Sequence, residues 1–593
     1  MALGARERRQ ATATDAPVRQ VFAADVRARL STPLLADVAV AVAIFLLLFA
    51  AVALADSADV PLPPSNDAKI SSNPADLPYY AMRSLFRMMI ALVLSYAFAL
   101  MFGYWAARNR KAERLMVPAL DILQSVPVLG FLSITVTGFL ALFPGSELGL
   151  EAASIFAIFT AMAWNITFSM YASSRSVSAE FDEMSRLFRL TSWLRFWRLD
   201  VPNAAIGLVW NGMMSMAGAW FFLTASEDIT VDGQSYAIPG VGAFAQEAID
   251  DGNWVNIGWA ITTMIIMIIG VNVVLWRPLV AWSEKFRNEQ SSSGEEPRSL
   301  VLSLFRRARW PGVFGRARRR AADWLVRHTA FLGSDARASG APTTQRGRIW
   351  DFAFYSIVGL ALVLGLIALY RYVTDGQGPT AFLEPIYLAS LTFLRVVAVL
   401  VISTLVWVPI GIKIGLNPRA ARIAQPVVQV AASFPANFLY PIVVTIFVAW
   451  HISLNWGAIA LMLLGAQWYI LFNTVAGAQA IPTDLREAMA DMRVGGPLWW
   501  RRFAIPAVFG SYVTGGVTAA GGAWNASIVA ERVNFGTNVL VAAGIGAYIA
   551  EATANGNNRE VLLGVVVMSV FVVFFNRVFW KRMYRLAERK YSL

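Results

Sequence analysis

Apolar runs of about 20 residues recur from one end of this 593-residue chain to the other. Each is long enough to cross a hydrocarbon core about 30 Å thick as a helix. In lipid every backbone N–H and C=O must be satisfied internally, which restricts such a chain to packed helices. Charged residues make up only 15% of the chain, against roughly 25% in soluble domains. The expected fold class is therefore an all-α polytopic membrane protein. Twelve candidate spans lie near 36–55, 80–106, 116–143, 152–175, 203–225, 256–280, 350–371, 387–412, 424–450, 455–479, 507–530 and 561–580. Those at 116–143 and 424–450 contain prolines and are expected to be broken or tilted.

Charge orients the spans. The loops at Arg108–Arg114 and Arg419–Arg422 and the tail after Lys581 are basic. The intervening loops carry Asp56, Asp59, Asp67, Asp76, then Glu147 and Glu151, then Glu227, Asp228, Asp232, Asp250 and Asp251. The positive-inside rule puts the basic loops and both termini in the cytoplasm. Residues 1–33 form a basic cytoplasmic tail, and Ala53-Leu54-Ala55 resembles a signal-peptidase site. The apolar run before it exceeds the 7–15 residues of a signal core, so an uncleaved anchor is expected. The absence of cysteine excludes disulfides and thiolate metal sites.

The chain repeats itself. An offset of 304 residues superposes Trp164 on Trp468, Glu183 on Glu487, Pro202 on Pro506, Trp220 on Trp524 and Glu227 on Glu531. It also brings the Gly240–Asn253 segment onto Gly544–Asn557. An offset of 308 superposes Arg87 on Arg395, Asn109 on Asn417, Pro118 on Pro426 and Pro127 on Pro435. Two six-span halves of the same orientation are expected, at 34–282 (core about 80–285) and 350–593 (core about 387–590), related by a pseudo-twofold axis along the membrane normal. Between them, residues 283–349 hold 14 Lys or Arg against 6 Asp or Glu, supplying +8 of the net +12. Apolar residues among those arginines suit a helix lying on anionic lipid, so the charge is assigned to membrane lipids rather than nucleic acid.

No enzyme is legible. There is no phosphate-binding Gly-x-x-x-x-Gly-Lys-Ser/Thr motif, and the two histidines, His328 and His451, are assigned to opposite sides of the membrane. No catalytic residue, metal site or cofactor is expected. The polar segments 183–202 and 487–506 stand out between long apolar runs, with Glu first, Arg seventh and sixteenth, and Pro last in both. A polar segment kept twice at the cytoplasmic face reads as a docking surface for a soluble protein.

These segments resemble the Glu-Ala-Ala…Gly…Pro loop of binding-protein-dependent ABC import permeases. Glu487-Ala488 and Pro506 match it, whereas Arg493 stands at the usual glycine position, as Arg189 does in the first copy. Pro118…Gln124-Ser125-Val126-Pro127, Asn473-Thr474…Gly477 and the Gly-x-Gly-Ala-aromatic loops resemble the nitrate/sulfonate/bicarbonate branch. The resemblance covers about 80–285 and 387–590. It implies a type I importer fold in a bacterial cytoplasmic membrane, with two partner ATPase subunits that carry the ATP and Mg, and an extracytoplasmic solute-binding protein. Glu183, Arg189, Trp193, Trp197, Arg198, Pro202 and Glu487, Arg493, Trp499, Trp500, Arg502, Pro506 are then the coupling residues. Trp193, Phe196, Trp197, Leu498, Trp499 and Trp500 are expected to be desolvated anchors, and Arg195, Arg198, Arg501 and Arg502 pairing charges.

Candidate pathway residues are Asn211, Ser215, Trp220 and Glu227 and, in the second half, Trp524, Asn525, Ser527 and Glu531. Glu227 and Glu531 sit where either a gate or a structural cap fits. Arg87 and Arg395 are expected to snorkel to the outer surface. Because a Cβ at positive φ costs roughly 1 kcal/mol, the arginine kept at positions 189 and 493 is expected to mark a helix running on without a turn. The competing reading is a twelve-span ion-coupled secondary transporter, which needs acidic or histidine residues inside its spans. Almost none are visible.

Overall fold

The computed structural model describes residues 70–188, 190–231, 234–286, 345–374, 378–535 and 538–590. The expected tail 1–33, the span 36–55, Arg189 and nearly all of the linker 283–349 lie outside the described residues. The chain forms two compact units. Of the described residues, one comprises those within 177–209 and 271–286, and the other comprises those within 70–176, 210–270 and 345–590.

Among the described residues, nine helices are long and apolar enough to cross a membrane, and two bent pairs bring the number to eleven. In the first repeat the main helices are α1 (Leu77–Phe98), α2 (Arg110–Ser125), α3 (Val128–Leu142), α4 (Leu148–Arg175), α5 (Ala179–Leu187), α6 (Val201–Ser226), α7 (Val241–Asp250) and α8 (Trp254–Val271). The second repeat contains α9 (Gln345–Thr374), α10 (Leu383–Leu416), α11 (Pro418–Ser433), α12 (Tyr440–Ala449), α13 (Leu454–Gln479) and α14 (Thr483–Asp491). It ends with α15 (Ile505–Ala530), α16 (Ile545–Ala554), α17 (Asn558–Phe575) and α18 (Lys581–Lys590). Two hairpins with four-residue strands join α6 to α7 and α15 to α16. Strands β1 (Asp228–Val231) and β2 (Gln234–Ala237) pair antiparallel with Asp228 opposite Ala237. Strands β3 (Arg532–Phe535) and β4 (Asn538–Val541) pair likewise, Arg532 opposite Val541.

The proline-bearing spans break as expected. The pair α2 and α3 bends by 102°, and α11 with the helical segment through α12 bends by 88°. At each break Val126 and Phe434 take extended backbone ahead of Pro127 and Pro435, because a following proline disfavours the α region. The arms before the bends start at asparagine caps: Asn109 accepts from Lys111 N at 2.9 Å and Asn417 from Arg419 N at 3.0 Å. Those caps offset the unpaired first N–H groups of each helix.

The second repeat packs around α10, α13 and α15, with Ala458, Met462, Ala466, Ile470, Ala519 and Ala523 in its core. A Cβ on Gly515 of α15 would lie 2.8 Å from the Tyr469 carbonyl of α13. Small residues there set the close approach of the two helices. The two repeats are also tied by side chains: Asn525 Oδ1 accepts from Val128 N at 2.9 Å, and Asn576 Nδ2 donates to Ser125 Oγ at 3.3 Å.

Candidate functional site

Each of the two polar segments folds as a short helix, a reversal, and one further turn that runs into a long span. Helix α5 is followed by a turn at Ser192–Arg195 and α6; α14 is followed by a turn at Gly496–Trp499 and α15. The chain widens to π-helical turns at Phe196–Asp200 and Trp500–Ala504. Pro202 and Pro506 follow immediately. Their rings crowd the carbonyls four residues back, those of Arg198 and Arg502, and widening the turn relieves the clash.

Glu183 and Glu487 are exposed. The exposed apolar surface lies partly elsewhere than expected. Leu187 is 81% and Phe188 72% exposed in the first loop, with Met492 and Leu498 at 68% and 56% in the second. Trp193 is half-buried against Phe196 and Trp197, at centroid distances of 6.0 and 5.8 Å. Trp499 and Trp500 pack against the second repeat's core. Trp197 is the exposed member of the group, at 40%. Arg195 is not an outward charge: Asp182 pairs with it at 2.5 Å and Asp200 at 3.5 Å. Leu187, Phe188 and Met492 were missed because their spacing does not distinguish a buried stripe from an exposed tip.

The continuous-helix expectation at position 493 is wrong. Arg493 has φ +51°, and α14 ends in a Schellman cap: Val494 N donates to Met489 O at 3.1 Å and Arg493 N to Ala490 O at 3.0 Å. Arg493 therefore occupies the left-handed position that glycine usually fills. In the first loop the corresponding bond runs from Leu190 N to Ser185 O at 3.0 Å. The hydrogen bonds that close the cap outweigh the steric cost of a Cβ there.

A second constellation lies at the span ends that carry the hairpins. Arg87 is fully buried, bonding Glu151 at 2.5 Å and Glu227 at 2.7 Å. Arg83 reaches Glu151 at 2.5 Å, and Glu227 also accepts from Ser84 Oγ and Gly242 N. In the second repeat Arg395 bonds Glu531 at 2.6 Å, and Glu531 accepts from Thr392 Oγ1 and Gly546 N. Snorkelling is thus corrected for Arg87 and Arg395, which are held inside by carboxylates. Glu227 and Glu531 cap the N-termini of α7 and α16. A Cβ on Gly240 or Gly544 would overlap these carboxylates, so only glycine lets the chain pass. Arg83 and Glu151 escaped the sequence reading: Glu151 stands two residues before a span and reads as a loop acid.

The candidate pathway residues are placed as follows. Ser215, Trp220, Glu227, Trp524, Ser527 and Glu531 are all at most 3% exposed, and Trp524 stacks on Phe393 at 6.4 Å. In this arrangement they are enclosed among the packed helices. Asn211 and Asn525 are half-buried, and Asn525 supplies the N-terminal bond to α3 described above.

A family model described as binding-protein-dependent transport system inner membrane component matches residues 99–277 and, a second time, 407–592. The chain belongs to this family of ABC permeases as a fused tandem of two units. It is similar to the nitrate import permease NrtB of Leptolyngbya laminosa, 23% identical over 272 residues, 42% of this chain and 94% of the relative. The bicarbonate transport permease CmpB of Synechocystis is 26% identical over 269 residues, 41% of this chain and 92% of the relative. CmpB of Synechococcus elongatus is 27% identical over 190 residues, 32% of this chain and 64% of the relative. The two longer matches place a whole relative on less than half of this chain, as one repeat requires.

Proposed function

We propose that this chain is the fused two-in-one permease of an ATP-driven importer for a small anion. Two partner ATPase subunits, carrying the ATP and Mg, dock on 183–202 and 487–506. A solute-binding protein delivers the anion at the opposite face. The observation that carries the reading is the repeated helix, reversal and span-entry unit that leaves Leu187, Phe188, Met492 and Leu498 exposed. Exposed apolar tips on otherwise polar loops suit burial in a partner's groove. Because each loop runs directly into a long span, moving the loops together turns α6 and α15. An ATP-dependent bias between two arrangements of those spans alternates access.

The ion-coupled alternative is disfavoured by the buried ion pairs. Arg83, Arg87, Glu151 and Glu227 balance to zero, as do Arg395 and Glu531, and each charge is already partnered. The test is a Glu183→Lys/Glu487→Lys double variant, reconstituted with the ATPases. Intact folding with uptake uncoupled from ATP hydrolysis is expected; uptake at the wild-type rate refutes the docking assignment.

A further inference from the structure

A cavity of about 320 Å3 lies between the repeats at their outer ends, walled by α3, α7, the hairpin strands β1 and β3, α12, α15 and α16. That volume is at the lower end of the range for small-molecule sites. Three of the residues lining it, Ser133, Tyr440 and Arg532, each carry a buried polar atom with no hydrogen-bond partner among the described residues. The atoms are Ser133 Oγ, Tyr440 Oη and Arg532 Nη1. Ser133 and Tyr440 are 5% and 3% exposed. Buried polar atoms are almost always satisfied, so three orphans around one cavity call for a partner of the opposite character. All three can donate, and one is cationic.

The walls are not symmetric. At an offset of 304, Asp228 of the first repeat corresponds to Arg532 of the second, Thr224 to Ile528 and Gln246 to Ala550. Most other lining side chains are hydrocarbon. A bare inorganic oxyanion would lose its hydration shell here for too few donors. An anion with a hydrocarbon part matches both the donors and the walls.

We propose that this cavity binds a small organic anion, its carboxylate or sulfonate head on Arg532, Tyr440 and Ser133 and its apolar body against Leu129, Ile528 and Ile549. Only its role as a station on the transport route rests on the importer reading; binding stands independently. Asp228 shares the cavity, and burial together with Asp250 and Glu247 pushes its carboxyl up to about 7. Held partly in its neutral form, it repels the anionic head less than an ordinary carboxylate would.

The test is calorimetric titration of the full-length chain in nanodiscs with sodium pentanesulfonate and with sodium nitrate, empty nanodiscs correcting for lipid partition. Saturable pentanesulfonate binding is expected, at least tenfold tighter than nitrate. Arg532→Gln should weaken it at least tenfold, and Tyr440→Phe and Ser133→Ala about threefold each. The two hydroxyl deletions decide the matter if Arg532→Gln does not fold. No saturable heat, equal or tighter nitrate binding, or unchanged affinity in the folded variants would overturn the site. If ATP-driven uptake persists without such binding, the site falls and the importer reading stands.

Discussion

The two repeats solve the same problem at their hairpin ends with different numbers of charges. Both place an arginine of the first long helix on a glutamate that caps the helix after the hairpin. The first repeat adds Arg83 and Glu151; the second has Leu391 and Asn455 at those positions. Asn455 still serves the arginine, accepting from Arg395 Nη2 at 3.2 Å, and its Oδ1 also accepts from Ala543 N at 2.9 Å. One cation and one anion thus differ together, and both clusters remain neutral. The arginine–glutamate–glycine core is therefore what the local fold requires, while the outer pair is an addition that must be present or absent as a pair.

The largest effect should come from breaking the shared core. Glu227→Ala or Glu531→Ala leaves a buried guanidinium without its carboxylate and should destabilise by about 3–5 kcal/mol, read by denaturant unfolding in mixed micelles. A loss below 1 kcal/mol at either site would refute the shared-core argument. A smaller, sharper test converts the first repeat toward the second. Arg83→Leu and Glu151→Asn should each destabilise, while the double variant recovers about 1–3 kcal/mol relative to their sum. Strict additivity would mean that the two side chains are independent.

The coupling loops differ too. The first is braced by Asp182, Arg195 and Asp200, whereas the second has Arg486, Trp499 and Ala504 at these positions. The second accordingly depends more on its own cap. Arg493→Gly should stabilise the loop by about 1 kcal/mol by removing a Cβ from positive φ, seen as slower hydrogen exchange at Val494. Faster exchange would show that the arginine side chain itself holds the turn.

The smallest effect tests the Asp228 and Arg532 mismatch. Asp228 faces Glu247 and Asp250, which with burial raise its proton affinity in the folded state. Its ionised form therefore disfavours folding, so stability is lost as pH rises toward 7 and levels off above it. The stability advantage of Asp228→Asn over the wild type should grow between pH 5 and 7 and then stop growing. At most about 1 kcal/mol is expected, because the side chain is partly solvent-screened. An advantage independent of pH would show that Asp228 does not titrate in this range.

Periodicity and spacing determined a good deal by themselves. Runs of hydrocarbon side chains have no stable fate except spanning lipid, so the helical class was legible residue by residue. The offsets of 304 and 308 revealed two copies of one unit, and Pro127 and Pro435 marked its bends, because a proline's steric demands are local. The same holds for Asn109 and Asn417, whose caps act over three residues. What the tertiary structure decided is everything that depends on distance through space. Arg87 and Glu227 are 140 positions apart, and no local pattern distinguishes a guanidinium that snorkels from one clasped by two carboxylates. The burial of Trp220 and Trp524 likewise depends on helices far apart in sequence. Arg493 shows the limit most directly: propensity argued against a left-handed arginine, but the two hydrogen bonds of the helix cap required one.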